Sequence, residues 1–102
     1  MRTETMYKMR PIHPGEILRE EFLAPLGLSA SALAVELKVP APRVNDVVRD
    51  RRAVTPDTAL RLSWYFGTSP EFWMDLQTAY DLKAAARESG EKIKAEISPR
   101  AA

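Results

Sequence analysis

Helix-start signatures recur at short intervals along this chain, each soon answered by a stop, and that punctuation restricts it to a bundle of short helices. Thr55, Pro56 and Asp57 are a hydroxyl cap, a first-turn proline and a first-turn acid in succession, and Ser69, Pro70 and Glu71 repeat the order. Ser29 is a further cap. Pro14 with Glu16 marks another start, because a proline in the first turn has no intrahelical N–H bond to lose. Pro25 with Gly27, and later Gly67, end helices, and Pro40 forces a turn because it disfavours helical geometry in the residue before it.

Apolar spacing fills the intervals. A first helix from Pro14 presents Ile17, Leu18, Phe22 and Leu26 on one face and leaves Arg19, Glu20 and Glu21 outside. The second, capped by Ser29 and ending near Leu37, buries Leu33, Ala34 and Leu37. The third, over residues 41–49, turns Val44, Val47 and Val48 inward and leaves Arg43, Asn45, Asp46 and Arg49 outward. The fourth carries Ala59, Leu62 and Phe66 on one face, and the fifth carries Phe72, Trp73, Leu76 and Tyr80 before running into alanines at 84–86. No window alternates with the period of a strand. The spacing therefore predicts an all-α chain: a flexible arm over 1–10, one domain over 11–90, and a tail over 91–102. After Gly90 the tail is expected to fray or to order on a partner, since Ile93 and Ile97 stand isolated among charges.

A chain of 102 residues suits one domain. It has no cysteine, so disulfide and thiol chemistry are excluded, and its one histidine, His13, makes no metal site alone. Neither a membrane-length apolar run nor a signal peptide is present, so a cytoplasmic protein is expected. No acid–base pair, nucleophilic triad or glycine-rich phosphate loop stands out, so neither an enzyme nor a cofactor is expected.

Two short helices joined by a tight turn, the second with a polar outward face, match the helix-turn-helix plan for major-groove recognition. Arg43 lies in the first turns of the third helix, where a guanidinium can bond O6 and N7 of guanine, and is the leading base reader. Ala41 and Pro42 precede it. Asn45 suits adenine and Asp46 suits cytosine, although either can instead cap, orient Arg43 or face water. Arg49, Arg51 and Arg52 follow as phosphate anchors, with Ser29 and Ser31 as further phosphate contacts near the second helix start. The net charge is only +1, yet over residues 40–52 four arginines face two aspartates, so positive charge is concentrated there. Arginines at a helix end are often simply solvated; the order of short helix, constrained turn and polar helix favours DNA. The aromatic cluster of Trp64, Tyr65, Phe66, Phe72, Trp73 and Tyr80, with Leu76, follows helical faces and is read as core or dimer interface rather than a base-stacking platform.

Two blocks, MRPIHPGEILREEFL at 9–23 and TPDTALRLSWYFGTSPEFWMDLQTAYDL at 55–82, make the chain resemble the HigA family of addiction-module antitoxins, a branch of the Xre/phage-repressor helix-turn-helix proteins. The resemblance runs over residues 9–82 and implies a five-helix, lambda-repressor-like fold. It implies a homodimer on a palindromic operator, repression of its own operon, and neutralisation of a HigB-type toxin, a ribosome-dependent mRNA endonuclease. Base reading in that superfamily maps onto Ala41, Pro42, Arg43, Asn45 and Asp46. The chain departs from the pattern at Lys38 and Asp50, where glycine is usual, and at Ala30, where many relatives have a phosphate-contacting glutamine; Lys38 and Asp50 are expected to take left-handed conformations. A stand-alone repressor without a toxin is the alternative.

Overall fold

The computed structural model describes residues 9–101, so most of the expected arm lies outside the described residues. Among these residues there are five helices and no strand. Helix α1 runs through Pro14–Ile17, a π-helical stretch Leu18–Leu23, and Ala24–Leu26; α2 is Ala30–Leu37, α3 Ala41–Val48, α4 Pro56–Phe66 and α5 Pro70–Glu96.

The caps fall where the sequence places them. The hydroxyls of Ser29, Thr55 and Ser69 accept from the backbone N–H of Ala32, Thr58 and Phe72. His13 serves α1 in the same way, its Nδ1 accepting from Gly15 N at 2.8 Å. Gly27 and Gly67 end α1 and α4 with φ of 61° and 78°. Lys38 and Asp50 adopt φ of 61° as well, and the chain closes behind them: Val39 N donates to Ala34 O at 3.1 Å and Arg51 N to Asp46 O at 2.8 Å. Two non-glycine residues thus supply the reversals that begin and end the segment carrying α3.

The first helix differs from its expected face. Beyond Pro14 and Gly15 at its start, Leu18 and Leu23 are its buried residues, whereas Leu26 is 63% exposed and Ile17 only half-buried. Pro25 is the cause. It lacks the N–H that would meet the carbonyl of Glu21, and its ring crowds that carbonyl, so the helix widens and Ala24 N donates five residues back to Arg19 O. The extra residue in the turn separates the buried leucines by five positions instead of four.

Leu18, Leu23, Leu33, Leu37, Val44, Val47, Val54, Ala59, Leu62 and Trp73 join into one core. Val44 and Val47 are buried as expected of α3, with Val48 half-buried beside them. Trp73 is completely enclosed, its Nε1 donating to Thr68 Oγ1 at 2.8 Å and its ring 5.1 Å from Phe22. That hydrogen bond removes the cost of burying the indole N–H.

Helix α5 does not stop at Gly90. It continues to Glu96, because Gly90 sits in a helical stretch of alanine, glutamate and lysine whose propensities outweigh one glycine, and Lys92 approaches Glu96 one turn on. Its N-terminal half packs through Trp73 and Gln77; from Glu91 on, every described side chain is exposed.

Two glycines should respond oppositely to alanine. A Cβ on Gly15 would stand 1.8 Å from Val47 O, backbone against backbone, while one on Gly90 would meet only Ala86 Cβ at 3.8 Å. Thermal unfolding should show Gly15→Ala destabilising by about 3 kcal/mol, as severe overpacking does, and Gly90→Ala stabilising by up to about 1 kcal/mol. Equal effects would mean that the close seating of α1 on α3 is unimportant.

Candidate nucleic-acid interface

Helix α3 is seated by its valines and fastened at both ends by polar groups from other elements. At its N-terminal end, Ala41 and Arg43 are half-buried and Pro42 is exposed. Arg43 Nη1 donates to Asp57 Oδ2 at 2.5 Å, and the same oxygen accepts from Arg61 Nε at 2.8 Å. Arg61 in turn donates through Nη1 to Leu37 O at 2.8 Å, satisfying a carbonyl at the C-terminal end of α2. Hydrogen bonds from both arginines hold the Asp57 carboxyl below its ordinary pKa, Arg61 contributing more.

Asn45 Nδ2 donates to Ala41 O at 3.0 Å and to Ser31 Oγ at 3.3 Å, tying α3 to α2. Asp46 accepts from Arg52 at 3.4 Å. Arg49 and Arg51 are exposed and make no ion pair among the described residues. Ser29 is exposed, with its oxygen occupied by the α2 cap.

At the C-terminal end of α3, Arg19 Nη1 donates to Val48 O. The exit loop is held from below: Val54 N donates to buried Gln77 Oε1 at 2.7 Å, and Gln77 Nε2 donates to Asp81 at 2.9 Å. His13, also buried, meets this loop through the backbone of Arg52 and lies 3.5 Å from Asp50 Oδ1. The residues proposed from sequence as readers and anchors therefore lie together on α2, α3 and the loop after it. Each reader side chain, Arg43, Asn45 and Asp46, already has an intramolecular partner. None of Asp57, Arg61, Gln77, Arg19 and His13 is marked by the sequence as a support for α3, although Asp57 reads as a first-turn acid, Arg19 as an outward-facing charge and His13 as a lone histidine. Only Asp57 with Arg61 left a signal, their i,i+4 spacing on one helix face.

The comparisons with known proteins concern this same region. Residues 18–73 match the profile of the Helix-turn-helix family. The solved structure of Pseudomonas aeruginosa antitoxin HigA with the higBA promoter has a TM-score of 0.88 and 53% identity, covering 90% of this chain and 100% of that one. Antitoxin HigA-1 of Vibrio cholerae is 37% identical over 75 residues, 74% of this chain and 70% of that protein. The chain belongs to the HigA family. Virulence-associated protein I of Dichelobacter nodosus is also similar, 57% identical over 81 residues, 79% of this chain and 75% of that protein. HigA proteins are DNA-binding regulators and not enzymes.

In this HigA chain the aromatic cluster divides. Trp73 is core, Phe66 and Leu76 pack half-buried against it, and Tyr80 meets the His13 ring edge-on at 4.8 Å. Phe72 is 38% exposed, its ring edge against Trp73. Trp64 lies outside the core altogether, 87% exposed on α4 beside half-exposed Leu60 and Tyr65. Of the two readings, core or dimer interface, core is therefore excluded for Trp64, because the opposite face of α4 already buries Thr58, Ala59, Leu62 and Ser63. Hollows of about 400 and 530 Å³ flank the Trp64 indole. No helix among the described residues is long and apolar enough to cross a membrane.

Burial lowers the His13 pKa, outweighing attraction to Asp50 and Asp81; nearby Arg19 also lowers it. The folded chain therefore binds the His13 proton less readily than the unfolded chain does. Stability from this site is present above the ordinary histidine pKa of about 6.5 and is lost as pH falls below it. Urea unfolding should show a midpoint that drops as pH falls below about 6.5, with a shallower drop in His13→Asn, which can keep the cap. A variant as pH-sensitive as the parent would place the titration elsewhere.

Proposed function

We propose that this chain is the antitoxin of a type II toxin–antitoxin module, repressing its own operon and neutralising a HigB-type mRNA endonuclease by binding it. The observation that carries this reading is the match, over nine-tenths of the chain, to a HigA structure described with its promoter. The local chemistry is consistent with it. Helix α3 presents polar groups on an otherwise valine-anchored helix, and Arg49 and Arg51, without an ion pair among the described residues, follow at its exit.

In this reading Arg43 reads a guanine, Asn45 and Asp46 contribute base contacts from the same face, and Arg49, Arg51 and Arg52 neutralise phosphates. Ser29 and Ser31 lie at the start of α2 for further phosphate contacts. DNA is bound as a homodimer whose two copies of α3 enter successive major grooves, about 34 Å apart. The second copy docks on the outer face of α4. Trp64 is a ridge between two hollows, and an isologous interface needs both knob and hole on one patch.

Arg43→Ala should cost about 1–3 kcal/mol in operator binding and relax preference at one base pair. Arg51→Ala should weaken all duplexes alike and reduce the salt slope by about one unit. A base-specific effect of Arg51→Ala with an unchanged salt slope would overturn the division into reader and anchor. Trp64→Asp should yield a monomer in sedimentation with lost affinity for the full palindrome; a dimer of undiminished affinity would move the interface elsewhere.

The toxin role is tested by placing the chain beside an inducible toxin encoded next to its own gene. Restored growth and a co-purifying complex are expected. If no adjacent toxin exists, or the pair neither binds nor rescues growth, the chain is a stand-alone repressor.

A further inference from the structure

We propose that Asp57 is a positioning residue that determines how strongly Arg43 discriminates among bases. The inference rests on Arg43 acting as a base reader, and it assigns that specificity to a brace outside the recognition helix.

An arginine on a helix surface samples many rotamers, and ordering it on a base opposes binding. In this chain one part of that ordering is done beforehand. Asp57 Oδ2 holds Arg43 Nη1 at 2.5 Å, and the carboxylate is itself held by Arg61 Nε at 2.8 Å. Arg61 is pinned by Leu37 O at 2.8 Å, so the brace links α3, α4 and α2. Asp57 stands in the first turn of α4, behind the Thr55 cap and the rigid Pro56.

The contact leaves recognition chemistry available. A guanidinium has five N–H donors, and a bidentate guanine contact needs two. With Nη1 held at one point by Asp57, donors remain on Nη2 and Nε. Arg43 is about one-third exposed and Asp57 more than half, so the pair is open to a ligand beside α3. A carboxylate near a DNA-facing groove repels phosphate, which makes Asp57 unfavourable for non-specific binding. Two arginines offset that charge and keep the group ionised. An acid in this place thus favours sequence discrimination over bulk affinity.

A purely structural role for Asp57, as a first-turn acid or as the i,i+4 partner of Arg61, would change stability without touching the preference at any one base pair. That difference provides the test. The full chain and the variants Asp57→Asn, Arg61→Met and Arg43→Ala are titrated by fluorescence anisotropy. The probes are a duplex from the chain's own promoter, the same duplex with each base pair replaced in turn, and an unrelated duplex of equal length. Preferences are taken as affinity ratios within one preparation, so a reduced folded fraction cancels.

Arg43→Ala should erase the preference at one base pair. Asp57→Asn should reduce the preference at that same pair about tenfold, within the range of a lost bidentate contact, while affinity for the unrelated duplex is unchanged or raised. Arg61→Met, which keeps the Asp57 charge but releases its anchor, should reduce the same preference by a smaller factor. The proposal is overturned if Asp57→Asn leaves that preference as in the parent, raises it, or alters a different base pair. Flattening by Arg43→Ala with a parent-like Asp57→Asn sinks the brace alone. If Arg43→Ala itself leaves every preference intact, the base-reading role of Arg43 fails and the brace falls with it.

Discussion

An eight-residue helix is too short to hold itself together in water, and α3 must nevertheless keep one face clear for a ligand. Everything else in the structure bears on that constraint. Val44 and Val47 supply the buried contacts, and they alone would leave both helix ends free to tilt. The C-terminal end is held where Gly15 lets the start of α1 come against Val47 O, with Arg19 on the neighbouring Val48 carbonyl. The N-terminal end is held by Arg43 on Asp57 and by Asn45 reaching back to Ser31. A helix presented to DNA is thereby fixed from behind and from both ends.

The polar groups that do this are largely the ones a ligand would use. Arg43, Asn45, Asp46 and Arg52 all have partners within the chain. Such contacts hold the side chains near defined positions, and their exposure keeps them open to exchange for base or phosphate contacts. Arg49 and Arg51 differ in kind. Left exposed without ion pairs among the described residues, they fit the proposed role of phosphate anchors, which contributes affinity and encounter rate rather than base preference.

Much of this was legible in the residues themselves. The caps at Ser29, Thr55 and Ser69 were readable because a hydroxyl before a first-turn proline or an apolar run has few other uses. The left-handed Lys38 and Asp50 were anticipated through the family resemblance, which places them where glycine is usual. The buried face of α1 was misjudged, since ideal helical spacing cannot anticipate the π-turn that Pro25 imposes. For Trp64 the spacing left core and dimer interface both open, and only the packing decided against core, since smaller residues fill the inner face of α4. Decay of order was expected after Gly90, and the helix runs on to Glu96 because a glycine is a stop only when its backbone turns left-handed, and the alanines before it hold it helical.

Local chemistry, then, is what the sequence by itself determined: where helices begin and turn, that α3 is polar outside and apolar inside, and that positive charge collects at its exit. These follow from interactions within a few residues, which chain order specifies directly. Only the tertiary structure decided that Asp57 would reach Arg43, that Gln77 would hold the loop at Val54, and that His13 would be buried between α1, Asp50 and Tyr80. Those partners are separated by 14 to 67 residues and meet only when the helices pack, so no local pattern marks them before the core has formed.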